Sequence, residues 1–98
     1  MRRASRVDAN QATIVNYVRA LGGDVLLLHA VGGGCPDVLI HYRGKYHLCE
    51  IKDGSKPPSE RRLNPVQVAF HAKWRGPILV ITSIEDVATM IVNHSGRG

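Results

Sequence analysis

The sequence has no apolar run that approaches the roughly 20 residues needed for a membrane-spanning helix. Its basic start, MRRASR, is followed by polar residues instead of the apolar core of a signal peptide. We therefore expect a cytoplasmic protein. With 98 residues and 44% hydrophobic content, the chain has room for a single domain spanning residues 1–98. A core of this size is modest, so a dimer interface that supplements it would not be surprising.

The sequence is also poor in the residues that form disulfides or bind soft metals. Two cysteines, Cys35 and Cys49, do not make a disulfide framework, and we expect both to be reduced and packed in the interior. The five histidines show no tight metal-ligand spacing. The glycine run at 32–34 is not followed by the G-K-[ST] of a phosphate-binding loop, which excludes a P-loop. The run is either a plain turn or a flexible approach to the residues that follow it.

Acidic residues are the minority, and the formal net charge of +5 favours an anionic partner such as nucleic acid. Several basic side chains are candidates for non-specific contacts with DNA phosphates, although a solvated charged surface is an equally good interpretation. They lie in a loop after the third predicted strand and in the N-terminal arm: Lys56, Arg61 and Arg62, and Arg2, Arg3 and Arg6.

Periodicity and turn signals predict the element order α-β-β-β-α-β-α. The first helix is predicted to be capped by Asp8, with Gln11 completing a capping box, and to end at the glycine pair 22–23. Buried strands are predicted at 24–31 and 78–82, and a hairpin is predicted from 37–42 and 45–52. The expected fold is α/β, with one mixed sheet flanked by helices.

The second helix has a capping residue, Asn64, followed by proline at its first position, and it is predicted to turn Val66, Phe70 and Trp74 inward. Phe70 and Trp74 are interpreted as part of the core or of a dimer interface. Ser83 and Asp86 open the third helix, with Val87, Ala88 and Ile91 on one side. We expect the basic arm at 1–6 and the tail at 93–98 to be flexible.

Three charged residues interrupt the apolar hairpin strands: Asp37, Glu50 and Lys52. Buried charge is costly unless it is paired or bound to a metal. Side chains alternate along a strand, so Glu50 and Lys52 share a face. A turn at residues 43–44 places Asp37 opposite Glu50, a turn at 44–45 places it opposite Lys52, and a three-residue turn separates the charges.

Two carboxylates that converge from neighbouring strands repel each other, and a hard divalent cation relieves that repulsion. Mg²⁺ is usually held by one or two carboxylates, with water and substrate phosphate at the other positions. Lys52 could then orient the attacking water or offset charge in the transition state. The competing interpretation is a salt-bridge cluster on an exposed face of the sheet.

The spacing of Pro36-Asp37 and Glu50-Ile51-Lys52 resembles the signature of PD-(D/E)XK nucleases, whose core also follows the order α-β-β-β-α-β. More narrowly, GCPD, EIKDG, the proline- and arginine-containing loop and Gln67 on the next helix resemble the stand-alone VRR-NUC domains of phages and bacteria. The resemblance covers about residues 6–90.

The resemblance implies a role for each matching residue. Asp37 and Glu50 correspond to metal-binding acids, and Ile51 corresponds to the residue whose backbone carbonyl also binds the metal, Mg²⁺ or Mn²⁺. Lys52 corresponds to the catalytic lysine and Gln67 to the helix residue that supports the site. Many relatives also carry a glutamate on the first helix. Here Asn10 and Gln11 occupy that region as supporting residues, and Asn10 is predicted to face inward.

The same resemblance implies a homodimeric, metal-dependent endonuclease that hydrolyses phosphodiester bonds in branched DNA, four-way junctions included. A homodimer can place two sites about a two-fold axis and cut two strands symmetrically. Two alternatives remain open from the sequence. One is a nucleic-acid-binding dimer whose site has lost activity, and the other is a nuclease subunit that acts only within a larger assembly.

Overall fold

A computed structural model describes residues 8–95 and contains the seven elements in the predicted order. The helices are α1 (Gln11–Ala20), α2 (Pro65–Lys73) and α3 (Ile84–Ser95), and the strands are β1 (Asp24–Leu27), β2 (Val38–Tyr42), β3 (Lys45–Ile51) and β4 (Leu79–Ile81). A short 3₁₀ turn at Pro58–Glu60 interrupts the loop before α2. The basic arm at 1–6 and residues 96–98 of the predicted tail lie outside the described range.

The four strands form one mixed sheet in the order β1-β2-β3-β4. The β1–β2 and β2–β3 pairs are antiparallel, and β3 runs parallel to β4 through the connection that carries α2. The mixed α/β fold predicted from the sequence is therefore confirmed. Every helix in residues 8–95 is too short or too polar to cross a membrane.

The hairpin between β2 and β3 turns at residues 43–44, the first of the three predicted possibilities. Tyr42 pairs with Lys45, and the two residues between them, Arg43 and Gly44, have φ angles of 48° and 81°. Positive φ at both positions is typical of a type I′ turn, whose twist matches that of the flanking strands. Val38 pairs with Cys49 in this register, so the next position along places Asp37 opposite Glu50.

One face of the sheet carries the hydrophobic core and is covered by α1 and α3. Ile40 and Cys49 from the sheet meet Val18 of α1 and Val87 of α3, and all four side chains are fully buried. Burying a side chain of this kind stabilises the fold by about 1.5–3 kcal/mol. Because successive strand residues point to opposite faces, Asp37 and Glu50 lie on the other face of the sheet.

The start of α1 differs from the prediction. Asn10, not Asp8, occupies the N-cap, and no side-chain capping bond forms there. The backbone carbonyl of Asp8 instead accepts a hydrogen bond from the Gln11 N–H, at 3.0 Å, in the turn that leads into the helix. The predicted end is confirmed, because Gly22 follows the last turn with φ of 91°.

The predicted strand at 24–31 is shorter and more exposed than expected. β1 ends at Leu27, and Leu26 keeps 60% of its surface exposed. The last bond of this ladder runs from the Leu28 N–H to the Asp37 carbonyl, at 2.8 Å. The pairing stops there because the preceding residue of the partner segment, Pro36, has no N–H to donate. As an edge strand, β1 has one neighbour only. Val80 in β4 is also 48% exposed, so the expectation that both strands are buried was wrong in part.

The boundaries of α2 and α3 follow the sequence, but the predicted orientation of α2 was wrong. Val66 and Trp74 are about half exposed, at 56% and 49%, and Phe70 is only half-buried with its ring stacked on Trp74. The helix instead turns its polar side chains toward Glu50, as described below. In α3, the Asp86 N–H bonds to the Ser83 hydroxyl, and the helix continues through residues 93–95 of the predicted tail.

Candidate active site

The two acids of the hairpin meet at one end of β3. Asp37 immediately precedes β2, and its Oδ2 accepts a hydrogen bond from the Ile51 N–H at 2.7 Å. Glu50 is only 1% exposed. Burial raises the pKa of Glu50 to about 9, and a hydrogen bond to the adjacent Asp37 and the charge of that carboxylate add to the rise, while Lys52 opposes it. In this environment the charged form of Glu50 needs a positive partner.

The donor atoms at this point fit a hard divalent cation. Glu50 Oε1 is buried and has no hydrogen-bond partner, and Ile51 lines the same cleft as both carboxylates. Mg²⁺ and Mn²⁺ favour oxygen ligands, and Mg²⁺ commonly takes only one or two carboxylates from the protein. Within residues 8–95 no three side chains of His, Cys, Asp or Glu form a group that could hold one ion. The carboxylates of Asp37 and Glu50 are therefore the protein ligands that fit such an ion, with water or phosphate at its remaining positions.

Gln67, in the first turn of α2, connects the acidic pair to the lysine. Its Oε1 accepts from Lys52 Nζ at 2.9 Å, and its Nε2 donates to Glu50 Oε2, also at 2.9 Å. His71, one helical turn later, places Nε2 at 3.7 Å from Glu50 Oε1. The geometry thus brings together Asp37, Glu50, Lys52 and Gln67, four of the side chains predicted for the site.

A local capping motif determines where Gln67 lies. Asn64 Oδ1 accepts from the Gln67 N–H at 2.9 Å, and Gln67 Oε1 accepts from the Asn64 N–H, also at 2.9 Å. This is the reciprocal capping box expected when glutamine stands three residues after a capping residue. Pro65 at the first helical position supports the same start.

The side chains of Asp37, Glu50, Lys52 and Gln67 line a cleft of about 410 Å³ on the face of the sheet opposite the core. The glycine run at 32–34 forms part of its wall, with φ angles of 76°, 65° and 83°. A Cβ atom on Gly34 would collide with the backbone carbonyl of Val66 and would lie 3.1 Å from Phe70 Cβ. The run is therefore a turn that rests directly on the start of α2, and glycine is required there for both reasons.

Replacing Gly34 with alanine is expected to displace α2 and to lower both stability and any activity of the site. Strain at positive φ and the collision with Val66 together should cost about 2 kcal/mol or more. Urea unfolding of Gly34→Ala and of Gly33→Ala separates the two causes, because a Cβ at Gly33 meets nothing within 4 Å. Equal losses in the two variants would contradict a specific contact with α2.

Asn10 is hydrogen-bonded to backbone groups next to the cleft. Its Nδ2 donates to the carbonyl oxygens of Lys52 and Thr82, both at 3.0 Å, which links the segments just after β3 and β4. The prediction that Asn10 points inward is thus correct, although it precedes α1 and does not belong to the helix. Gln11 is buried, and its Oε1 has no hydrogen-bond partner. Neither residue is part of the cleft wall.

Comparison with solved structures supports the fold. Among solved structures, the chain is similar to one described as a "VRR_NUC domain", with a TM-score of 0.59 and 26% sequence identity. The match covers 89% of this chain and 98% of that one. The chain has the VRR-NUC domain fold. No protein-family model and no curated protein matches it.

The cleft contains an acid whose place there the sequence did not reveal. Asp8 was predicted to cap α1, but it lines the cleft, where it interacts electrostatically with Lys52 and Asp37. Burial raises the pKa of Asp8, Lys52 opposes the rise, and Asp37 adds to it. His29 also lines the cleft, and its buried Nδ1 has no hydrogen-bond partner. A sequence signal for either residue is missing, because both lie in loops without regular spacing.

The basic residues predicted to contact DNA are not among the lining residues of the cleft, although Lys56 is close enough to Asp8 for its charge to oppose the burial-driven rise in the pKa of that acid. Lys56 and Arg62 are exposed, whereas Arg61 is half-buried and its Nε donates to the Lys56 carbonyl at 2.8 Å. Arg61 therefore helps to fold the loop. The arginines of the N-terminal arm lie outside the described residues.

Proposed function

We propose that the protein is a metal-dependent, structure-selective DNA endonuclease that hydrolyses phosphodiester bonds in branched DNA such as four-way junctions. One observation carries this proposal: Gln67 bonds both to the buried acid Glu50 and to Lys52 in a single cleft. A salt-bridge cluster on an exposed face would not bury Glu50 to 1% exposure. The VRR-NUC fold supports a nuclease as the general class of activity.

Asp37, Glu50 and the Ile51 carbonyl would hold Mg²⁺ or Mn²⁺. When bound, the cation would lower the pKa of water and offset negative charge on phosphoryl oxygens. Lys52 supplies its ammonium group as a hydrogen-bond donor, to orient the attacking water and to stabilise the charge that develops as the phosphate ester bond breaks. Gln67 Oε1 holds that ammonium in place, and Gln67 Nε2 fixes the orientation of Glu50.

Substrate choice would depend on shape and phosphate contacts more than on base contacts. The net charge of +5 and the exposed side chains of Lys56 and Arg62 provide sequence-independent attraction to DNA. Arg61 stabilises the loop that presents them. Because this attraction releases counterions, binding should weaken as the salt concentration rises.

We further propose a homodimer with its two clefts related by a two-fold axis. Several large apolar side chains remain exposed at the β1 edge and just beyond it, Leu26, Leu27 and Val31 among them, which supports association of two chains. Two related clefts could cut opposing strands of a junction symmetrically. Sedimentation equilibrium should give twice the mass of one chain, and a monomer at all concentrations would contradict the dimer.

The test of the proposed function is cleavage of a labelled DNA panel by purified protein. The panel contains a four-way junction, a flap, linear duplex and single-stranded DNA, each incubated with Mg²⁺, with Mn²⁺ and with a chelator. We expect symmetric cuts in the junction that require a metal and are weak or absent in linear duplex. A folded protein that binds DNA but cuts no substrate in either metal would contradict the proposal.

A further inference from the structure

We propose that Asn64 is a positioning residue that orients the site through Gln67. This inference deepens the proposed function and rests on it. The connection runs through one atom, because Gln67 Oε1 accepts from both the Asn64 N–H and Lys52 Nζ, each at 2.9 Å. The capping box of α2 and the lysine of the site therefore share the same acceptor.

The shared acceptor determines which way the amide of Gln67 faces. The Asn64 N–H and the Lys52 ammonium are both donors, so the oxygen of the amide must point toward them. The Gln67 nitrogen then points toward Glu50 Oε2, to which it donates at 2.9 Å. Rotating the amide by half a turn would break three bonds at once. The cap thus selects the one orientation in which Gln67 serves both Lys52 and Glu50.

The position of Gln67 depends on the cap because burial contributes little to holding the start of α2. None of the residues of α2, all of which lie in the described part of the chain, is fully buried. The close contact between α2 and Gly34 is made by Val66. Asn64 itself is exposed, and its backbone is extended, with φ −77° and ψ 168°. That backbone conformation is held by the bond from the Gln67 N–H to Asn64 Oδ1. Loss of this acceptor frees the Asn64 N–H from its fixed position beside Gln67 Oε1.

Three variants separate positioning from simple helix stability. Asn64→Ala removes the side-chain acceptor, Asn64→Ser keeps a residue of similar capping strength, and Ser83→Ala removes the capping bond that the Asp86 N–H makes at the start of α3. Ser83 is not among the residues that line the cleft, so Ser83→Ala is the matched control for a lost cap.

Steady-state kinetics on the branched DNA cut by the wild-type protein give the first readout. We expect Asn64→Ala to lower kcat by about 10- to 100-fold, with KM little changed, because a small misplacement of Lys52 and Glu50 affects the chemical step more than DNA binding. Asn64→Ser should restore kcat, and Ser83→Ala should leave it at the wild-type value. Full kcat in Asn64→Ala, a loss that serine does not rescue, or an equal loss in Ser83→Ala would overturn the inference.

The second readout does not need activity. The side-chain amide protons of Gln67 can be followed by NMR in the protein without metal, where donation to Glu50 should slow their exchange with water. We expect faster exchange in Asn64→Ala and wild-type exchange in Asn64→Ser. Unchanged exchange in Asn64→Ala would overturn the positioning role. If the wild-type protein cuts no DNA, the proposed function fails, and this measurement still decides whether Asn64 orients Gln67.

Discussion

Replacing Lys52 with alanine is expected to reduce cleavage by about 10²–10³-fold or more, while the protein stays folded. The side chain of Lys52 bonds to Gln67, but its backbone is held separately. Its N–H donates to the Ile81 carbonyl at 3.0 Å, and its own carbonyl accepts from Asn10 Nδ2. The variant therefore removes a donor from the site and leaves the end of the sheet intact.

The measurement is single-turnover cleavage of a junction by Lys52→Ala, with circular dichroism to verify folding. Lys45→Ala is the matched control, because Lys45 is an exposed lysine at the opposite end of the same strand. Its loss removes the same charge without touching the cleft. Wild-type rates in Lys52→Ala would contradict the role of the lysine, and an equal loss in both variants would reduce that role to net charge.

Replacing Glu50 with glutamine is expected to abolish cleavage and, at the same time, to stabilise the metal-free protein. The amide is nearly the same size, can still accept from Gln67 Nε2 and, unlike the buried acid, does not have to take up a proton when the chain folds at neutral pH. Because Glu50 is only 1% exposed and must be protonated to fold at neutral pH, replacing it with an amide should raise the free energy of unfolding by about 1 kcal/mol or more. A variant that gains stability while losing activity is typical of a functional site under strain.

The pH dependence gives this prediction a definite sign. Burial raises the pKa of Glu50 from 4.5 to about 9 in the folded chain. Between these two pH values the folded state therefore still carries the proton, whereas the unfolded state has released it. The stabilisation from this proton is complete below pH 4.5 and is lost as the pH rises toward 9. Metal-free wild-type protein should therefore lose stability over this range, and Glu50→Gln should lose less.

Urea unfolding of both proteins at several pH values in a chelator tests the expectation. Glu60→Gln is the matched control, since it removes the same charge from an exposed position in the loop before α2. If Glu50→Gln is less stable than the wild type across the whole range, the account of a strained carboxylate pair is wrong.

Features of the fold set by short stretches of sequence could be predicted, and those set by distant contacts could not. The capping box of α2 follows from Asn64, Pro65 and Gln67 alone. The register of β2 and β3 follows from a two-residue turn that needs positive φ at Gly44. Once the register is known, Asp37 must lie opposite Glu50.

The errors share a cause, which is that a pattern identifies an apolar side chain but not what covers it. Trp74 and Leu26 fit apolar patterns and remain exposed, because α2 turns its polar side to Glu50 and β1 lies at an edge. Asp8 matched a capping pattern just as well as Asn10 does. Only the folded chain places Asp8 in the cleft, close enough to Lys52 and Asp37 for their charges to affect it.

Isothermal titration calorimetry with Mn²⁺ shows whether Asp37 and Glu50 hold a divalent cation. Asp37→Asn is the variant of choice, because an amide oxygen can still accept from the Ile51 N–H and keep the strand end in place. We predict saturable Mn²⁺ binding by the wild-type protein and its loss in Asp37→Asn. Equal binding by the two folded proteins, or none by the wild type at millimolar Mn²⁺, would show that Asp37 and Glu50 do not hold the cation.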